Sequence, residues 1–385
     1  MQKINIRKTM FCSLLVLLVL ACDSSSIVSD VLTAFPLTPT SAISNDVPTQ
    51  PAPDGGLQEI PMQVGYGARG SFYEIYFTDP LNPDAERQEG GPDAPLVQAI
   101  DRARVSVDVA AYSISLRSIR DALLRAHKRG VQVRMVMESE NMDSAAPSAL
   151  IKAGIEIVGD RRPGLMHDKF VVLDRTEVWM GSMNFTTSGA YADNNNLVRI
   201  RSSEVAEDYI VEFEEMFKRD FFGTDAIAKT PHPRVTLDGV EMEIYFSPDD
   251  KVARRIVALL RGAQQSITFL AYSFTANDFA DILLSKASEG LAISGVMEEA
   301  QVKSNQGTEF TRFESAGLFV YLDGNQGQMH HKVFVIDRKI VIAGSYNFSY
   351  SAETQNDENT VIFFDPQIAA QYLAEFERVE AEAQK

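Results

Sequence analysis

The chain has 385 residues, 36 Lys and Arg against 53 Asp and Glu for a formal charge of −17, and two cysteines. At roughly 100–200 residues per domain this length allows two or three domains, and 45% hydrophobic with 23% charged residues excludes wholesale disorder and a multispan membrane protein. The acidic balance argues against a surface that holds nucleic acid by counterion release alone, which needs clustered Lys and Arg, and leaves room for a local basic cleft; two cysteines build neither a disulfide scaffold nor a cysteine-ligated metal site.

Lys3, Arg7 and Lys8 precede an apolar run from Met10 to Ala21 that is too short for a comfortable membrane span, the pattern of a secretory leader. Its end, Val19-Leu20-Ala21-Cys22, resembles the bacterial lipobox. That resemblance implies a signal peptide over residues 1–22 and a lipidated Cys22. It also implies an exported lipoprotein anchored on the periplasmic or extracellular side of a bacterial membrane. Loss of the leader leaves 33 basic against 53 acidic residues, a charge of −20. Residues 23–59 are rich in Ser, Thr, Pro and Asp, a composition that cannot build a core and reads as a tether.

The remainder is written twice. Glu74-Ile75-Tyr76-Phe77 recurs as Glu243-Ile244-Tyr245-Phe246, Ala111-Tyr112-Ser113 as Ala271-Tyr272-Ser273, and Val136-Met137-Glu138 as Val296-Met297-Glu298. MHDKFVVLD over 166–174 recurs as MHHKVFVID over 329–337, and from His167 to Asn196 the offset is a constant 163 residues. The two halves are placed at 60–227 and 235–385, joined by the Pro-bearing segment 229–233. In the first, a β-rich run (105–114) precedes a helical pattern (116–129) ended by Gly130. A strand (131–138), a helix (144–152), strands near 155–158, 169–173 and 178–181, and a closing amphipathic helix (204–219) follow. Buried apolar strands between helices predict an α/β fold, a duplicated α/β/α sandwich whose halves are related by pseudo-twofold symmetry.

Two of the five histidines sit in one repeated frame: His167-x-Lys169-x4-Asp174 and His330-x-Lys332-x4-Asp337. Each is followed by Gly-Ser-x-Asn, giving Ser182 and Asn184, then Ser345 and Asn347. On a strand, His and Lys at i and i+2 share a face and reach one site. Asp174 and Asp337 fall on the opposite face near the strand end, where they hold structure. Two Lys, two Ser and two Asn converging about a twofold axis suit a phosphate diester, stabilising the added charge at phosphorus. Two histidines suit a two-step displacement, one attacking phosphorus and the other protonating the leaving alkoxide and then activating water. These motifs carry no carboxylate cluster for Mg²⁺ or Ca²⁺, so no metal or other cofactor is expected.

The HxKxxxxD…GSxN pattern resembles the phospholipase D superfamily over essentially all of residues 60–385. The resemblance implies a covalent phosphohistidine and one active site between the halves, in a chain that works as a monomer because it carries both motifs. It also implies that the residue 28 positions after each histidine, Asn195 or Glu358, bonds the other ring nitrogen of an active-site histidine, with Asn196 and Asn359 as auxiliary neighbours. A carboxylate there raises a histidine pKa and suits a general acid. The expected assignment is therefore His167 as nucleophile and His330, oriented by Glu358, as general acid/base.

Arg161 and Arg162 offer either charge for an anionic substrate or an ordinary loop, and Tyr112 and Tyr272 either line the cleft or pack. Trp179 is expected in the core, and His127 and His232 in solvent. Three functions compete. The first is a membrane-tethered phospholipase D hydrolysing or transphosphatidylating phospholipids. The second is a metal-independent nuclease acting on DNA or RNA. The third, a non-catalytic phosphate- or lipid-binding module, predicts erosion of at least one motif, and both are intact.

Overall fold

A computed structural model describes residues 57–385. The expected leader, Cys22 and nearly all of the tether lie outside the described residues. The first sheet has nine strands: β1 (Gln58–Ile60), β2 (Tyr66–Arg69), β3 (Tyr73–Phe77), β4 (Ser106–Ala111), β5 (Gln132–Met137), β6 (Glu156–Gly159), β7 (Lys169–Leu173), β8 (Glu177–Gly181) and β9 (Asn196–Arg201). Their order is β1-β2-β3-β9-β8-β7-β4-β5-β6. The second sheet has eight: β10 (Arg234–Leu237), β11 (Val240–Ser247), β12 (Ser266–Ala271), β13 (Ala292–Met297), β14 (Phe319–Leu322), β15 (Lys332–Ile336), β16 (Ile340–Gly344) and β17 (Glu358–Phe364). These follow β10-β11-β17-β16-β15-β12-β13-β14, the same pattern with one edge strand fewer. The last two residues of the segment expected as tether, Gln58 and Glu59, belong to β1, which pairs antiparallel with β2.

Each sheet is mixed. β4, β5 and β6 run parallel, and so need the crossover helices α2 (Arg117–Lys128) and α3 (Ala145–Lys152), which follow α1 (Asp93–Arg102). β7, β8 and β9 form an antiparallel meander, whose link carries α4 (Thr187–Tyr191). Helix α5 (Ser203–Arg219) closes the first half, capped at its N-terminus by Ser202. The second half repeats this with α6 (Val252–Gly262), α7 (Asn277–Ser288), α8 (Glu299–Ser304), α9 (Phe310–Ser315), α10 (Tyr350–Thr354) and α11 (Pro366–Ala383), the last capped by Asp365.

The long helices α5 and α11 pack in the layer between the sheets, α5 on β4, β5 and β7–β9 and also on β11, α11 on β12–β16. Phe170 of β7 meets Tyr209 of α5, and Tyr209 meets Phe246 of β11, so one aromatic stack crosses from half to half. The two sheets touch at β8 and β16. Four backbone bonds then tie the segments entering the two motif strands to the opposite half. His167 N–H donates to Asp357 O at 3.0 Å and Asp357 N–H to Leu165 O at 2.9 Å; His330 N–H donates to Asn194 O at 2.9 Å and Asn194 N–H to Gln328 O at 2.7 Å. Among the described residues no helix is long and apolar enough to cross a membrane.

Candidate active site between the two halves

Each catalytic segment is built by the same local rules. The turn from β7 to β8 uses Asp174 and Arg175 at φ 50° and 61°, and the turn from β15 to β16 uses Asp337 and Arg338 at 51° and 56°. Left-handed φ at both central positions is what a tight hairpin requires. The Asp174 carboxylate accepts from the N–H groups of Arg104, Val105 and Ser106, and Asp337 does the same for Gln264, Gln265 and Ser266. The last residue of the motif thus staples the start of β4 or β12 to the far end of the motif strand, away from the histidine. Gly181 and Gly344 end β8 and β16 where a Cβ would sit on the carbonyl oxygen of Asn196 or Asn359. Only glycine lets the two backbones approach so closely.

At the other end of β7 and β15 the histidines and lysines converge. His167, Lys169, His330 and Lys332 are all buried, 6%, 1%, 4% and 2% exposed. Lys169 Nζ donates to His167 O at 2.6 Å and Lys332 Nζ to His330 O at 2.8 Å. The ammonium groups lie over the rings of Tyr112 and Tyr272, 5.2 and 4.5 Å from the centroids. Those same tyrosines stand edge-on to His167 and His330 at 5.0 and 4.6 Å, so both line the site. Burial and the two ammonium groups push both histidines well below the usual imidazole pKa. Burial lowers Lys169 to about 8 and Lys332 well below its ordinary value, the second also through repulsion by the first. Glu358 and Asp168 offset this in part for Lys169, and Glu358, Asp193 and Glu298 for Lys332; a negative charge brought to the two ammonium groups would favour their charged forms further.

The expected pairing of Glu358 is corrected by the geometry. Its carboxylate lies 2.7 Å from Nδ1 of His167, across the interface, and not on His330. Asn195 is crossed in the same way: its Oδ1 is 3.0 Å from His330 Nδ1, which also reaches Ser182 O at 3.1 Å. The physical reason is the swapped backbone pairing, which sets Asp357 beside His167 and Asn194 beside His330. Burial raises Glu358 to about 7.

The hydroxyls expected on substrate phosphate are engaged internally. Ser182 is fully buried; it donates to Asn195 Oδ1 at 2.8 Å and accepts from Asn196 N–H at 3.1 Å. Ser345 accepts from Asn359 N–H at 3.0 Å and holds Glu358. Asn184 and Asn347 differ, because the Oδ1 of each is buried without a hydrogen-bond partner. Arg161 and Arg162 serve their loop: Arg161 pairs with Asp220, and Arg162 with Asp225 and the carbonyls of Asp220 and Phe222. Trp179 is fully buried against Tyr76. His232 reaches Glu207 at the surface, and His127 is half-buried on α2.

Sequence reasoning missed two residues. Asp168 and His331, between His and Lys of each motif, alternate to the opposite face of the strand and meet the inner helix layer. His331 Nε2 lies 2.7 Å from Glu375 of α11, whereas Asp168 accepts from Asn359 at 2.7 Å and leaves Oδ2 buried and unpartnered. The signal was present in the period-2 alternation, since an ionisable residue facing the core needs a partner.

The family model of the cardiolipin synthase PLD-like domain matches the chain twice, over residues 96–217 and 256–380. Phospholipase D of Rickettsia felis is 34% identical over 117 residues, 30% of this chain and 58% of that protein. Human mitochondrial cardiolipin hydrolase is 31% identical over 126 residues, 32% of this chain and 50% of its own length. The chain thus spans about half the length of the curated relatives it matches. Phosphatidylserine synthase of Haemophilus influenzae shares the fold, with a TM-score of 0.60 at 15% identity over 81% of this chain and 86% of that one.

Proposed function

The chain belongs to the phospholipase D superfamily, and on that premise we propose that it cleaves phospholipid phosphodiesters through a phosphohistidine on His167, releasing the head group to water or exchanging it with an alcohol. The observation that carries this reading is the 2.7 Å contact between Glu358 and His167 Nδ1. With Nδ1–H donating to a carboxylate, the Nε2 lone pair is left free to attack. Once phosphorylated, that imidazole is cationic, and a carboxylate at hydrogen-bond distance stabilises the intermediate. The nucleophile thus stays on His167, although the carboxylate expected to mark the general acid is found on His167 instead.

His330, held by two carbonyl oxygens through Nδ1–H, also keeps Nε2 toward the site. As the anionic phosphate binds, that Nε2 takes up a proton from solvent. The imidazolium so formed protonates the leaving alkoxide through Nε2–H in the first step, and the neutral ring left behind deprotonates the water that attacks phosphorus and displaces His167 in the second. Lys169 and Lys332, with the amides of Asn184 and Asn347, bind the non-bridging oxygens as charge builds at phosphorus. The phospholipid substrate is supported by the named activities of the relatives and by the charge of −17, which opposes long polyanions. Lipidation of Cys22 would hold the enzyme at its substrate; incorporation of labelled fatty acid, lost in Cys22→Ser, tests that.

One assay set in EDTA decides the substrate: head-group release from phosphatidylcholine, cardiolipin cleavage, and degradation of single- and double-stranded DNA and RNA. Phospholipid cleavage abolished by His167→Asn is the expected result. Cleavage of nucleic acid with phospholipid untouched would move the assignment to nuclease, and a strict need for added divalent metal would overturn the phosphohistidine chemistry.

A further inference from the structure

Behind the second motif runs a chain of hydrogen bonds whose polarity is fixed from one end. It starts at Arg378, which holds Glu375 in a two-pronged contact, Nη2 to Oε1 at 2.7 Å and Nε to Oε2 at 2.8 Å. That arginine keeps the carboxylate ionised, its pKa lowered to about 2. Glu375 can then only accept, so the fully buried His331 donates to it through Nε2–H. Burial keeps His331 neutral, and its Nδ1 must present a lone pair. Asn196 Nδ2 lies 3.0 Å from that nitrogen and donates to it, with Tyr372 O–H 3.5 Å from its Oδ1 on the other side.

The same Asn196 Nδ2 and its backbone N–H both point at Ser182 Oγ, at 3.3 and 3.1 Å. With its acceptor sites taken, the single Ser182 hydroxyl proton goes to Asn195 Oδ1, and that oxygen also receives His330 Nδ1–H. Asn195 Nδ2 is occupied by Gly189 O at 2.9 Å. The path therefore leaves His331, crosses into the first half through three consecutive side chains, and returns to His330, the residue next to where it began.

We propose that His331 is a positioning residue for His330, acting through Asn196, Ser182 and Asn195, and that Glu375 sets the direction of the relay. This deepens the reading above, since it rests on His330 reacting. If His331 stops accepting, the Asn196 amide is free to turn over. Ser182 would then donate to Asn196 Oδ1 and withdraw its proton from Asn195, leaving His330 one well-oriented acceptor instead of two. The relay also requires adjacent histidines in opposite tautomers, Nδ1–H on His330 and Nε2–H on His331.

The test uses the whole protein labelled with ¹⁵N-histidine, together with kinetics on bis(p-nitrophenyl) phosphate. Imidazole ¹⁵N shifts, assigned with His330→Asn and His331→Asn, should show the two tautomers opposed. His331→Leu should lower kcat about tenfold, the scale of one lost buried hydrogen bond, with KM within about twofold. His331→Asn, whose Oδ1 takes the place of Nδ1, should regain most of kcat. Identical tautomers, wild-type kcat in His331→Leu, or an Asn variant as impaired as the Leu one would each overturn the proposal. Should the Leu variant fail to fold, the Asn variant decides: kcat within about threefold of wild type with His330 still Nδ1–H supports the relay, and anything less overturns it. Full activity in His330→Asn would instead overturn the parent reading.

Discussion

The two halves share a topology and a motif, yet the groups behind their motifs have opposite electrical character. Residues 163 positions apart correspond: Asp168 with His331, Glu212 with Glu375, Glu215 with Arg378, and Asn195 with Glu358. In the second half these make an ordered His–Glu–Arg array. In the first, the same places hold three carboxylates, joined in their field by Asp249 and Asp357. Because each half supplies the partner of the other half's histidine, the asymmetry is exchanged across the interface. The carboxylate of the second half serves His167, and the amide of the first serves His330. Duplication made the frame, and divergence at a few ionisable positions gave its two histidines different partners.

The sharpest way to break this comparison is to remove each histidine. His167→Asn and His330→Asn should each lose about 10⁴-fold or more in kcat, and the double variant little beyond that, because groups acting as a unit are non-additive. Phosphate should be trapped on His167 in the His330→Asn protein, seen by peptide mapping of the quenched reaction; phosphate on His330 in the wild type would invert the assignment. Glu358→Gln is next. It removes the charge beside the phosphoimidazolium and should cost about 10²-fold in kcat, the scale of a charge-assisted hydrogen bond, with KM little changed. Asn195→Asp makes the two halves alike. A carboxylate on His330 raises its pKa, so the limb of the kcat–pH profile that reports His330 should move to higher pH. The loss at pH 7 should be smaller, about tenfold.

The frame of this site was legible in the sequence because it is local. The repeat, the strands bearing Lys169 and Lys332, and the Gly-Ser-x-Asn turns all follow from spacing within one segment. The partners of the histidines were not legible, because they depend on which half reaches which. Glu358 lies 28 residues after His330 in the chain but bonds His167, 191 positions away. The Ser182 and Ser345 hydroxyls misled for a related reason. Their place in the repeated Gly-Ser-x-Asn is local, just past the ends of β8 and β16, whereas their capture by Asn195, Asn196 and Asn359 arises only when β9 and β17 pack alongside. Asp168 and His331 went unread because a motif draws the eye to its named positions, while the alternation between them decides what faces the core.

The smallest expected effect tests the carboxylates of the first half. Glu212 is buried and faces Asp168 at the entry to β7, Asp249 after β11, Asp357 before β17 and Glu215 on its own helix; the nearby cations are Lys169 beside Asp168 and Arg162 beside Asp357. Burial first, and then mutual repulsion, raises Glu212 and Asp357 well above the ordinary range and lifts Asp168 and Asp249 to about 7. For an acid whose folded pKa exceeds its unfolded one, the folded chain binds more protons across the interval between them. Stability from the group is therefore complete below the unfolded value near 4.5 and is lost as pH rises through the folded one. Glu212→Gln removes the titration without removing the shape. Its unfolding free energy, from urea titration, should match wild type at pH 4.5 and exceed it by pH 8, by about 1–3 kcal/mol, the cost of a poorly satisfied buried polar group. The mate substitution Glu375→Gln should do the reverse, destabilising at pH 8 by taking the carboxylate from Arg378 and His331. If both variants shift the same way, the opposition between the halves is one of sequence only and not of stored charge.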